Sequence, residues 1–243
     1  MRNQKSEIIT LSRRPFGDRD RLITALGKYT GRMSLLAKGA QKPGSRLAGM
    51  SEPFVYAKVM IAAPKNISVI ASADVLESFS GMKASLEGVD AAYHISRLAE
   101  RISQPGQPSE GLFLNLLSCL YILESGADPE TVTRYFELRL CAWAGCPVNH
   151  TRCACGRPLK EAFWSREAGF FTCRACAGSG DGLVFPAALF SYVRALEKCP
   201  ENRVRFLSFP SEALADLKAL FSEHMLYHLE LRQPASFLEA PEK

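Results

Sequence analysis

Long apolar runs are missing from this chain. None approaches the roughly 20 residues that a helix needs to cross a bilayer. The polar, basic start Met1–Lys5 leads into no apolar segment of the secretory kind, so a cytoplasmic address is expected. Familiar catalytic signatures are missing as well. There is no Gly-x-Ser-x-Gly and no His-Glu-x-x-His, and the 4 histidines are scattered. The glycine-rich stretch Gly39–Ser45 falls short of a nucleotide phosphate loop. Ser45 follows Gly44 directly, without the lysine that would reach the phosphates, and no helix is expected immediately after it. Internal repeats and low-complexity tracts are absent. Together these gaps argue against a membrane protein, a secreted protein and an enzyme of familiar type.

Charge is present, and it is unevenly placed. The net charge is +5. From Met1 to Lys65 there are 13 Lys/Arg against 4 Asp/Glu, while the remaining residues carry 17 against 21. A surplus of nine positive charges in one module beside a mildly acidic remainder is the electrostatic footprint of a polyanion binder.

The first 78 residues read as five short strands. Glu7–Ser12, Arg21–Gly27 and Arg32–Ala37 are compact β-prone runs. Pro53–Ala62 alternates between its two faces, and the turn Pro64-Lys65-Asn66 leads into Ile67–Val75, so the last two runs form a predicted hairpin. Five strands in this length suit a small closed barrel of the OB type, which leaves few exposed edges.

Beyond Glu77 the apolar period changes from two to about 3.6. Gly88–Ile102 carries Val89, Ala92, Ile95, Leu98, Ala99 and Ile102 as a stripe that ends before Gln104-Pro105-Gly106-Gln107-Pro108. Ser109 is the expected N-cap of the next helix, and Asp128-Pro129 of a third, with proline at its first position. Pro186–Leu196 and Ser211–Leu231 return to helical spacing, and Ser211 is the expected cap of the last helix. The expectation is an α+β multidomain chain. Residues 1–78 form the barrel, 79–148 and 183–233 one helical domain, 149–182 an inserted module, and 234–243 a loose tail.

The inserted module is defined by cysteine. Cys153-Ala-Cys155-Gly and Cys173-Arg-Ala-Cys176 are separated by 17 residues. Two such pairs supply the four thiolates of a closed tetrahedral Zn²⁺ site, and a cytosolic protein favours metal over disulfides. Phe163, Trp164, Phe170 and Phe171 between them read as the filling of a zinc-ribbon-like hairpin. The first knuckle is Cys-x-Cys rather than Cys-x-x-Cys, which leaves open that His150 replaces one cysteine. One structural zinc ion is expected. Cys119, Cys141, Cys146 and Cys199 lie in or near apolar segments and read as small buried hydrophobes.

Basic residues gather in the loops of the barrel. Arg13, Arg14, Arg19 and Arg21 surround Phe16-Gly17-Asp18, and Lys38, Lys42 and Arg46 surround the glycine-rich stretch. The loop between the first two strands is where OB-folds bind oligonucleotides. Phe16, Tyr29, Phe54 and Tyr56 are candidate platforms for unpaired bases, although most of them should be core. Asp18 and Asp20 are expected to form salt bridges with the arginines beside them.

Taken in order, several segments resemble the RecO family of bacterial recombination mediators over nearly the full chain. They are Ile8–Leu11, Pro15–Leu22, Gly31, Ala37–Ala40, Ser45–Gly49 and Glu52–Phe54, then Phe136–Leu140, Cys155–Leu159 and Gly169 ahead of Cys173 and Cys176. The resemblance implies an OB-fold, a helical domain and a four-cysteine zinc module. It further implies binding of single- and double-stranded DNA, annealing of complementary strands, and loading of RecA together with RecR. The loading takes place on strands coated by single-stranded-DNA-binding protein, whose acidic C-terminal tail docks on the helical domain. Carried onto this chain, Arg13, Arg14, Arg19, Arg21, Lys38, Lys42 and Arg46 become DNA contacts. Cys153, Cys155, Cys173 and Cys176 become zinc ligands. Two other classes compete: a zinc-dependent nucleic-acid-modifying enzyme, for which the sequence offers no general base, and a pure protein-interaction adaptor.

Overall fold

The structure is a computed structural model that describes residues 3–62, 67–177 and 182–234. Two compact units divide the chain between Ser125 and Gly126.

The first unit is built on a closed five-stranded barrel, with neighbours in the order β1-β2-β3-β5-β4 and β4 returning to β1. Its strands are β1 Asn3–Phe16, β2 Asp20–Gly27, β3 Gly31–Ala37, β4 Tyr56–Ala62 and β5 Ser68–Glu77. The strand β1 is longer than its apolar run suggests because it has two partners. Its first half pairs with β4 and its second half with β2, and a bulge between Thr10 and Ser12 bends it from one to the other. The barrel closes where Leu35 and Leu36 of β3 run parallel to Ser68 and Val69 of β5. The predicted β4–β5 hairpin is present as an antiparallel pair; its turn at Pro64-Lys65-Asn66 lies outside the described residues. Inward-facing Ile8, Ile23, Ala25, Leu35, Ala57, Val59, Ile61 and Ile70 fill the interior.

A short helix α1, Arg46–Met50, follows the glycine-rich loop, with Ser45 as N-cap accepting from Leu47 N–H. The sequence reading expected no helix here, since five residues are too few to show a period. Met50 closes one end of the barrel, and the buried Thr10 hydroxyl donates to its carbonyl at 3.1 Å. The lysine of a phosphate loop is still missing.

Helices α2 Ser80–Lys83, α3 Leu86–Ile102 and α4 Glu110–Glu124 belong with the barrel, α3 against β1 and α4 against β2. This division differs from the expected break near residue 78. The stripes that read as the core of a separate helical domain pack within the barrel's unit. Ser109 sits at the N-cap position of α4 but makes no capping bond.

In the second unit, α5 Pro129–Trp143, α7 Leu189–Lys198 and α8 Ser211–Leu229 pack on one another. Asp128 caps α5 as expected, accepting from Thr131 N–H at 2.8 Å, with Pro129 at the first helical position. The cap position of α8 is Pro210 rather than Ser211, with no side-chain bond. A three-stranded sheet, β7-β6-β8, joins β6 Ala162–Ser165, β7 Phe170–Thr172 and β8 Gly182–Phe185. Among the described residues, no helix is long and apolar enough to cross a membrane.

Candidate nucleic-acid interface and metal centre

Seven of the barrel's basic residues sit on or beside the turn after β1 and the segment after β3. The turn after β1 needs Gly17, whose φ of +64° lies in the left-handed region that a side chain disfavours. The loop after β3 is tied directly to this turn. Gln41 donates through its side-chain amide to the carbonyls of Gly17 and Asp20 at 3.3 and 2.7 Å, and its backbone N–H donates to the Arg19 carbonyl at 3.0 Å. Asp20 accepts from Gly39 N–H at 2.7 Å. The two basic loops that the sequence placed 20 residues apart are therefore one surface.

The seven expected DNA contacts divide into two groups. Arg14, Arg19, Lys38, Lys42 and Arg46 are exposed. Arg13 and Arg21 are held by one carboxylate: Arg13 Nε lies 3.1 Å and an Arg21 terminal nitrogen 2.8 Å from the two oxygens of Glu52. Arg21 also donates to Ser51 Oγ at 2.8 Å and to the Ala48 carbonyl at 3.3 Å, which fastens α1 to β2. The sequence expectation that Asp18 and Asp20 would take the arginines is corrected here. Glu52, arriving just after α1, takes Arg13 and Arg21, and Asp20 spends its carboxylate on a backbone amide. Among the candidate stacking residues, Phe16 is 42% and Tyr29 62% exposed, while Phe54 is buried. Tyr56 donates its hydroxyl to Glu7 at 2.8 Å.

The second site is the cysteine module. Around the first knuckle, Cys153 N–H donates to the Arg157 carbonyl and Gly156 N–H to the Cys153 carbonyl, with Gly156 at φ +85°. The second knuckle opens a single helical turn, α6 Arg174–Ala177, in which Cys176 N–H donates to the Cys173 carbonyl. The hairpin β6–β7 sets the two knuckles facing each other. Trp164 stands opposite Phe171, both almost fully buried, and their rings meet edge to face at 5.3 Å. The aromatic filling read from the sequence is present in these two, whereas Phe170 points outward. The hairpin turn is seated on α8, where His228 Nε2 donates to the Gly169 carbonyl at 2.7 Å. A Cβ at Gly169 would fall 2.2 Å from the Tyr227 ring.

All four Sγ atoms of Cys153, Cys155, Cys173 and Cys176 lie within 4.8 Å of one another, with Cys155 and Cys173 at 3.7 Å. Zn–S bonds of about 2.3 Å place tetrahedral sulfurs about 3.7 Å apart, so the donor set fits a closed site. Its protonation chemistry fits as well. Backbone N–H groups of Cys155 and Cys173 pull Cys153 down to about 6, whereas hydrogen bonds with Cys155 and Cys173 push Cys176 up to about 12. Four thiols this close share protons unequally, and a divalent cation would stabilise all four as thiolates. The Cys-x-Cys spacing therefore does not prevent convergence. His150 is not part of the cluster. It packs against Phe190, 6.5 Å between ring centres, with Nε2 3.7 Å from Glu197.

A third grouping was missed from the sequence. Cys141, Cys146 and His224 place two Sγ atoms and a ring nitrogen within 4.8 Å of one another. Cys141 is a buried side chain, as expected, but Cys146 is only half-buried. Burial pushes His224 down to about 4, so its imidazole is neutral at pH 7. No short-range spacing signals this grouping, because His224 lies 78 residues from Cys146.

Comparison with known proteins covers nearly all of the chain. A family model described as Recombination protein O N terminal matches residues 1–79, and one described as Recombination protein O C terminal matches residues 85–236. A DNA repair protein RecO from Roseiflexus sp. (strain RS-1) is 32% identical over 237 residues, covering 96% of this chain and 83% of the relative. Another from Pelotomaculum thermopropionicum is 28% identical over 236 residues, covering 95% and 91%. A barrel with a basic rim, a helical part with a four-cysteine cluster, and family matches covering 1–79 and 85–236 lead to one conclusion: this chain belongs to the Recombination protein O (RecO) family of DNA repair proteins.

Proposed function

We propose that this protein binds DNA at the barrel rim, without turnover, and acts as a recombination mediator. It holds single- and double-stranded DNA, anneals complementary strands, and works with RecR to load RecA onto strands coated by single-stranded-DNA-binding protein. The observation that carries the reading is the joining of two basic loops through Gln41 and Asp20, which brings the loop carrying exposed Arg19 against the one carrying exposed Lys38 and Lys42. Each cation that meets a phosphate releases condensed counterions, so binding is entropically driven and falls steeply with salt. A surface that neutralises one strand also lowers its repulsion for a second, and annealing needs that condition. Phe16, exposed in the same turn, offers a face to an unpaired base.

The helical part after Gly126 is the proposed receiver of the coating protein's acidic tail. The four-cysteine cluster would hold one structural zinc, through Cys153, Cys155, Cys173 and Cys176, and take no part in DNA chemistry. The test is a titration of fluorescent oligonucleotide at several salt concentrations. Replacing Lys38, Lys42 and Arg46 together by alanine should weaken binding at every sequence and flatten the slope of log K against log salt by up to about three. An unchanged slope would remove the rim from the interface.

A further inference from the structure

The grouping of Cys141, Cys146 and His224 is built by two elements for reasons unrelated to each other. Helix α5 ends in a Schellman motif. Gly145 at φ +83° lets Cys146 N–H reach back to the Cys141 carbonyl at 2.9 Å, while Gly145 N–H donates to Ala142 at 3.2 Å. This turn folds the residue after the glycine onto the last turn of the helix. The pair brought together is usually apolar; here it is two thiols.

His224 comes from α8, which packs along α5. Its Nε2 lies 2.6 Å from the Cys146 carbonyl. A carbonyl can only accept, so Nε2 carries the proton and the free lone pair belongs to Nδ1. That nitrogen is buried without a hydrogen-bond partner, in a residue only 3% exposed. An unpartnered buried acceptor is costly unless something binds it. A metal-bound histidine characteristically donates its other ring N–H to a backbone carbonyl, which fixes the tautomer and the ring orientation. His224 already has that arrangement.

We propose that Cys141, Cys146 and His224 form a second metal site, separate from the four-cysteine cluster, that takes one thiophilic d¹⁰ cation of the Zn²⁺ kind. Two thiolates and a neutral imidazole are a donor set such ions prefer. Contraction of about 1 Å brings donors 4.8 Å apart to tetrahedral spacing. Three protein ligands leave the fourth position to solvent, which enters on the side of half-buried Cys146. The site does not depend on the DNA-binding reading. It places a metal at the junction of α5 and α8, so it would pin the C-terminal end of one helix to the other.

The test is zinc content of the full-length protein by atomic emission, after purification without added metal or chelator. The wild type should carry two equivalents, and Cys146→Ser and His224→Gln should each lose one. Cys155→Ser should lose the other equivalent and keep this one. A wild type with a single equivalent that vanishes in Cys146→Ser still supports the site and shows instead that the four-cysteine cluster is empty. Should a variant fail to fold, Co²⁺ titration of the wild type decides. A second equivalent with thiolate-to-metal charge-transfer absorption supports the site, and one without it overturns the proposal. Full zinc content in Cys146→Ser overturns it. So does a disulfide between Cys141 and Cys146, read as a loss of two hydrogens in the peptide that carries both.

Discussion

The barrel and the cysteine module solve the same problem, holding side chains in a fixed arrangement, by opposite means. In the barrel the arrangement is inherited: an apolar interior from Ile8 to Ile70 fixes the strands, and the cations stand at the end of β1, on the loops and at the start of α1. Among the described residues, the side chains of Arg14, Arg19, Lys38, Lys42 and Arg46 are exposed and take no part in the ion pairs that fasten α1 to the barrel. In the cysteine module the four thiols would themselves, through a bound metal, tie together the two knuckles that the β6–β7 hairpin sets facing each other. Its strands are 3 and 4 residues long, and of its filling only Trp164 and Phe171 are both buried aromatics. A site on a finished scaffold can be altered without unfolding anything. A site that is the scaffold cannot.

Removal of metal should separate the two regions most sharply. Chelation, or Cys173→Ser, removes a contribution that in small zinc modules is on the order of 10 kcal/mol. The described hairpin should lose protection in hydrogen exchange while the strands of the barrel keep theirs. Equal loss in both would show that the module is not autonomous in its stability. Next comes Gly169→Ala. Its φ of +70° and the 2.2 Å approach to Tyr227 should together cost about 3 kcal/mol, visible as a lower denaturation midpoint. Asp128→Ala removes the cap of α5 and should cost about 1 kcal/mol. The smallest change in stability belongs to the rim. The triple alanine variant at Lys38, Lys42 and Arg46 should unfold within about 0.5 kcal/mol of the wild type while losing DNA affinity. A large destabilisation would mean that the rim is part of the scaffold after all.

What could be read from the sequence follows the same division. The first three strands betrayed themselves as compact β-prone runs, β4 by alternation because one of its faces is buried, and the cysteine pairs by their spacing. The true length of β1 was hidden, since its ends pair through backbone and carry polar side chains such as Lys5 and Arg14. Helix α1 was hidden by its brevity. The grouping of α3 and α4 with the barrel depends on which partner their apolar stripes meet, and a stripe does not name its partner. Glu52 as the clamp for Arg13 and Arg21 follows from α1 turning the chain back toward β2. The third grouping needed both a left-handed glycine turn and a histidine from another helix.

The bonds from Gln41 and Asp20 across the two basic loops bear on when entropy is lost. Loops that were free to wander would have to be ordered each time a strand arrived, and every binding event would carry that cost. Here the ordering is completed during folding, by hydrogen bonds that involve no nucleic acid. On the proposed reading, the rim would meet a strand with its two loops already in place, so that little ordering of backbone would accompany each binding event.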